Sequence, residues 1–181
     1  EYEKLVTIDE FMKDVQKMGS YDVLMIDPHN SFSKPYGMNS HEHDYETAAR
    51  LRLFGKKYNT TVYMCIHAAT EALRKTHKKG DFEGLPMPPN AADAEGGGKW
   101  VNRADDFIVC HRYTQSSNYW MFTEVHVKKV KETESGGMPT FIDEPVNFKL
   151  EYGTAFTCNG VNALDNASPF QTLETTNDLP F

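Results

Sequence analysis

Two short apolar runs, each closing on a chemically active side chain, constrain this chain more than anything else in it. Val23-Leu24-Met25-Ile26 ends at Asp27, and Val62-Tyr63-Met64-Cys65-Ile66 ends at His67. Runs of that length, apolar at consecutive positions, predict strands buried on both faces, as in a parallel sheet. Between them, residues 40 to 58 are rich in helix formers, with Tyr45, Ala48, Ala49 and Phe54 expected to face inward. Strand, helix, strand predicts a right-handed crossover unit. Asp27 and His67 then project from one edge of the sheet, beyond the carboxyl ends of its strands, where open α/β sheets bind ligands.

The remaining pattern extends this α/β reading. Thr7 and Glu10 have capping-box spacing ahead of Ile8, Phe11, Met12, Val15 and Met18 at helical intervals, and Gly19-Ser20 ends that helix. Residues 71 to 89 turn basic, then rich in Gly and Pro, and predict a mobile loop. Phe107–Cys110 and Trp120–Lys128 predict further strands. Thr140–Ile142 with Val146–Tyr152 predicts a terminal hairpin. From Val161 onward there is no Lys or Arg, which predicts a disordered acidic tail behind a domain spanning residues 1 to 160.

Composition excludes several function classes. A hydrophobic content of 39% with 25% charged residues is that of a globular domain. No apolar run is long enough to span a membrane, and no signal segment opens the sequence, so a cytoplasmic setting is expected. Starting at Glu1 in helix-like sequence, the chain reads as a fragment. Cys65, Cys110 and Cys158 are too few and too scattered for a disulfide framework. A net charge of −7 argues against a protein that coats nucleic acid over its whole surface, but not against local basic loops.

Several segments carry candidate chemistry. An aspartate at a strand's carboxyl end can hold Mg²⁺, directly or through water, beside a nucleotide phosphate. A histidine on the neighbouring strand can hydrogen-bond a terminal phosphate. Arg74, Lys75, Lys78 and Lys79 place four positive charges within six residues, a natural partner for a phosphate backbone. Lys128, Lys129 and Lys131 cluster at the end of a strand, where Lys129 and Lys131 share a face. Each also has a plain alternative: a turn-starting acid, a boundary histidine, a solvated loop, a lysine-protected edge. Glu95-Gly96-Gly97-Gly98-Lys99-Trp100 lacks the spacing of a phosphate-binding loop and predicts a tight turn into a short helix carrying Asn102. His41, Glu42, His43 and Asp44 lack the further ligands of a metal site.

In order along the chain, these pieces resemble a known family. Ile26-Asp27-Pro28-His29-Asn30, Ile66-His67, the basic loop, Asp93 to Asp105 and His111-Arg112 together resemble the Twinkle-type phage and organellar primase–helicases, within the wider DnaB-like family of hexameric helicases. The likeness runs from about Tyr21 to Gly153. It implies a RecA-like, mainly parallel sheet flanked by helices, with a C-terminal β-hairpin, forming part of an ATP-dependent motor that runs 5′ to 3′ on single-stranded DNA. It makes Asp27 the Walker B aspartate for Mg²⁺ and His67 the sensor of the nucleotide's γ-phosphate. It puts Arg74, Lys75, Lys78, Lys79, Gly97, Lys99 and Asn102 along the DNA channel of a homo-hexamer. Lys129 and Lys131 match a Lys-x-Arg pair reaching into the neighbouring ATP site, with Lys131 at the arginine-finger position. A lysine there loses the planar fork of arginine, and such a finger can be worth roughly 10³ to 10⁵ in turnover.

Within these 181 residues there is no phosphate-binding loop, so nucleotide hydrolysis is expected of a longer parent and not of this chain alone. The end, Leu179-Pro180-Phe181, resembles the acidic, Phe-ended tips that dock to replisome partners. A recombination or plasmid-replication ATPase shares most of these features. A non-catalytic, partner-binding RecA-like module is the reading from another class.

Overall fold

The computed structural model describes residues 5–19, 21–151, 153–162 and 164. The expected helix stop at Ser20 and the tail tip Leu179-Pro180-Phe181 lie outside them. Helix α1, Ile8–Lys17, starts with the expected capping box: Glu10 N–H donates to Thr7 Oγ1 while Thr7 N–H donates to Glu10 Oε2. Strand β1, Val23–Ile26, and strand β2, Thr61–Met64, pair in parallel with Ile26 opposite Met64, joined through α2, Ser40–Tyr58. Asn39 caps α2 through Glu42 N–H at 2.8 Å, and Asn59 ends it in the left-handed region at φ 52°.

The first core lies under this unit. Ile8, Ile26, Phe32 and Leu51 form its centre, flanked by Phe11, Met12, Leu24, Val62 and Met64. The inward stripe of α2 is Thr47, Leu51 and Phe54. Tyr45 is not part of it: it lies two residues from Thr47, about 200° round the helix, and the Arg103 guanidinium sits 4.1 Å from its ring centroid. Nor are both sheet faces buried. Val23, Met25 and Tyr63 are exposed, because among the described residues only the face carrying Ile26 and Leu24 is covered.

The second part is an antiparallel meander in the order β3 (Asp106–His111), β4 (Phe122–Val130), β5 (Val146–Glu151), β6 (Ala155–Cys158), β7 (Val161–Asn162). Among the described strands, parallel pairing joins β1 and β2 alone. A bulge between Phe107 and Ile108 leaves Lys128 without a single partner on β3. The terminal hairpin is β5–β6, not 140–142 with 146–152. Thr140 instead bonds back to β4, its N–H to Val127 O at 3.0 Å and its Oγ1 accepting from Val127 N–H at 3.1 Å. Pro139 has no ladder donor, and Phe141 and Ile142 are exposed, so the segment touches β4 at Val127 as a loop. Val161 and Asn162, the first residues of the expected tail, pair with β6.

Candidate nucleotide and strand-binding edge

Asp27 follows β1 and His67 lies three residues beyond β2, so the parallel register puts both at the same end of the pair, and both are exposed. The edge is fastened from behind. His29 N–H donates to Cys65 O at 3.0 Å, and Cys65 N–H donates to Ile26 O at 2.8 Å. The Cys65 thiol is pushed up by burial, then by Asp27 and Cys110, so it stays a thiol at neutral pH.

The chain beyond His67 is stitched to the glycine-rich segment. Ala68 forms an antiparallel bridge with Ala94, with Ala69 N–H donating to Asp93 O at 2.7 Å and Glu95 N–H to His67 O at 2.8 Å. Gly96 and Gly97 follow with φ of 86° and 79°, opening α4, Gly98–Arg103. At Gly96 a Cβ would stand 2.9 Å from Asp44 Oδ2, Lys99 Cε and Trp100 Nε1, so this position has neither the space nor the backbone geometry for a side chain.

Lys99 departs from the expected role. Its ammonium lies 2.8 Å from Asp44 Oδ2, with side-chain exposures of only 8% and 13%, so it ties α4 to α2 and cannot meet a phosphate without breaking a buried ion pair. Its neighbour Trp100 packs edge-on against the His29 ring at 5.2 Å. Burial holds His29 below the ordinary imidazole range, against the pull of Asp44 and Glu95 and with the help of His67 and Lys99. His29 Nδ1 and Trp100 Nε1 are buried with no hydrogen-bond partner. Nothing in the sequence singled out His29 and Trp100 as site residues beyond their place inside the two motifs. Gly97 is half-buried, and Asn102 is exposed on α4.

The basic loop folds back on itself. After α3, Thr70–Leu73, residues 75 to 87 form a narrow hairpin: Met87 N–H donates to Lys75 O at 2.8 Å, His77 N–H to Leu85 O and Gly84 N–H to His77 O, both at 3.0 Å. Aromatic contacts pin it. Phe82 stacks on Tyr113 at 4.5 Å and leans on Tyr119 at 4.6 Å, and His77 Nε2 lies 3.1 Å from the Tyr113 hydroxyl. His111 Nε2 lies 3.2 Å from Pro86 O, and burial lowers its pKa. Arg74, Lys78 and Lys79 are exposed, whereas Lys75 is drawn to Asp93 at 2.6 Å.

Lys129 and Lys131 do point the same way, toward the end of α4. Lys129 Nζ donates to Val101 O and to Ala104 O, both at 2.7 Å, capping the last carbonyls of the helix. Lys131 sits 3.0 Å from Asp105 Oδ1, an oxygen that also accepts from Arg52 at 2.9 Å. Among the described residues no cluster of three or more His, Cys, Asp or Glu could hold a metal ion. No described helix is long and apolar enough to cross a membrane.

Comparison with solved structures decides the architecture. Over 81% of its length the chain superposes on a DnaB-like replicative helicase, solved in a study of its interactions with primase, with TM-score 0.62 and 13% identity. It matches a second solved structure, an ATPase domain, over 80% of its length, with TM-score 0.62 and 12% identity. The chain has a RecA-like fold. The chain spans 33% and 48% of the length of those two neighbours, so the RecA-like part seen here is smaller than either. No protein-family profile and no curated protein sequence matches the chain.

Proposed function

We propose that this chain is part of an ATP-driven, ring-forming motor that moves along single-stranded DNA in the 5′ to 3′ direction. One observation carries the reading: an exposed acid and an exposed imidazole stand at one end of a parallel strand pair, and the imidazole's own segment is bridged to a glycine-rich turn. That connection gives events at a nucleotide a mechanical route toward α4 and the basic hairpin. The RecA-like fold and its helicase neighbours support it.

The residues fit the groups the reaction needs. Mg²⁺ is commonly held by one or two carboxylates plus substrate phosphates and water, so Asp27 can serve as its protein ligand. Bound there with ATP, the ion would neutralise charge on the transferring phosphoryl group. His67 would donate a hydrogen bond to the terminal phosphate and pass its loss to Ala68, Ala69 and the bridged segment. The phosphate-binding loop must come from polypeptide outside these 181 residues.

Lys131 is the group suited to reach a neighbouring subunit in a homo-hexamer, because its exposed pair with Asp105 costs little to break. Lys129, bonded to two carbonyls, would instead set the spacing between β4 and α4. Arg74, Lys78 and Lys79 would line the path of the strand, with Gly97 and Asn102 behind them. The acidic tail ending in Leu179-Pro180-Phe181 would dock to a replisome partner.

The test is hydrolysis in a polypeptide where a G-x-x-x-x-G-K-[ST] segment accompanies this chain. Asp27→Asn should abolish ATP turnover, and His67→Ala should keep basal turnover while losing its stimulation by single-stranded DNA. DNA-stimulated turnover that survives both changes contradicts the proposal.

A further inference from the structure

The chain has two tryptophans, and they live in opposite environments. Trp100 is 5% exposed, whereas Trp120 is 45% exposed. Among the described residues Trp120 stacks on no other ring, although its neighbour Tyr119 and nearby Tyr113 and Phe82 all engage one another. Its place is fixed through the backbone: Trp120 N–H donates to Ser116 O at 3.1 Å, and Arg112 Nη2 donates to Trp120 O at 2.7 Å. The main chain at Trp120 is therefore anchored, with a guanidinium beside its carbonyl, and the residue is half open to solvent.

That spot adjoins the basic hairpin. Tyr119 touches Phe82 at 4.6 Å, and Phe82 lies three residues from Lys79 on the same hairpin. From Arg74 to Pro86 the chain carries four basic residues (Arg74, Lys75, Lys78, Lys79) against two acidic ones (Asp81, Glu83), in a chain whose net charge is −7. A half-exposed aromatic on an anchored main chain, beside a local positive strip, is the combination by which single strands are held without sequence preference: cations follow the phosphates and the ring takes a base. Because the rings of Phe82, Tyr113 and Tyr119 already immobilise the hairpin, little ordering remains to be done on binding.

We propose that Trp120 is a base-stacking platform for a single nucleic acid strand whose phosphates run along Lys78 and Lys79. This rests on the strand-binding part of the function proposed above and adds the one residue expected to touch a base.

The experiment is titration of the chain with an oligothymidylate at low salt, read by intrinsic tryptophan emission and by anisotropy of a labelled strand, with inorganic polyphosphate as a probe that has no bases. Binding of the oligonucleotide should quench emission, and polyphosphate should bind without quenching. Trp120→Ala should weaken oligonucleotide binding at least about fivefold, leaving polyphosphate affinity and the salt dependence unchanged. Trp120→Tyr should retain affinity within about twofold, with no quenching of the remaining buried Trp100. Undiminished oligonucleotide affinity in Trp120→Ala, an equal loss for polyphosphate, or quenching that persists in Trp120→Tyr overturns the platform alone. Failure of the unaltered chain to bind either probe overturns the platform and the strand-binding reading together.

Discussion

The glycine-rich segment around Lys99 and the basic hairpin around Lys78 and Lys79 look alike in sequence, since each puts lysine beside glycine in a turn near the His67 edge. In the fold they are opposites. Lys99 is buried against Asp44, with Trp100 and His29 packed behind it, and it holds α4 on α2. Lys78 and Lys79 stand in solvent at the tip of a hairpin whose fixed parts are aromatic. Charge alone therefore does not mark a nucleic acid contact; the surroundings of the charge do. The first segment holds two helices together, and the second stands open to solvent.

The largest effect that could break this contrast is on stability at Lys99. Lys99→Ala takes the ammonium away from the largely buried Asp44 carboxylate, leaving only His43 Nδ1 beside it at 3.6 Å, so denaturant unfolding should show a loss of about 3–5 kcal/mol. The double change Lys99→Met with Asp44→Leu should recover most of it. A Lys99→Ala protein as stable as the original would make Lys99 a free cation after all. Next comes Lys129→Met, which strips a charged donor from two helix carbonyls and should cost about 1–3 kcal/mol in the same measurement.

A smaller effect follows from pH. The folded-state pKa values of His29 and His111 are lowered, chiefly by burial, so as pH falls through about 6.5 the unfolded chain takes up protons before the folded one does. Stability should therefore decline as pH falls below that point and level off beneath the folded values. Asp44, Glu95, His67 and Lys99 surround His29, and replacing His29 with Gln should flatten part of the decline in urea midpoints. The smallest effect is at the hairpin tip, where Lys78→Ala with Lys79→Ala should move stability by no more than about 0.5 kcal/mol per site.

Much of the parallel unit was legible in the sequence because its signals are local. The capping box at Thr7, the two apolar runs, the turn at Gly96 and Gly97, and the common direction of Lys129 and Lys131 each depend on neighbours a few residues away. What was not legible depends on distant packing. No local feature says that Asp44 waits for Lys99, or that Phe82 will find Tyr113 and turn a Gly- and Pro-rich loop into a fixed hairpin. Tyr45 misled because an aromatic in a helix is expected to face inward, whereas Arg103 gives it a partner at the surface. Consecutive apolar residues in β1 predicted two covered faces, but what covers a sheet is set by other elements. The loop at Thr140 misled because Phe141 and Ile142 have strand propensity, while the choice of β6 as partner for β5 was made by the turn at Gly153.

The salt dependence of single-strand affinity tests the division of labour most directly. Each phosphate that the protein ceases to neutralise should reduce the slope of log affinity against log salt by about 0.7. Lys78→Ala with Lys79→Ala should therefore flatten it by up to about 1.4, while exchanging the charges of Lys99 and Asp44 should leave the slope as it was. A slope untouched by the hairpin change, or flattened by the exchange at Lys99 and Asp44, would contradict the account.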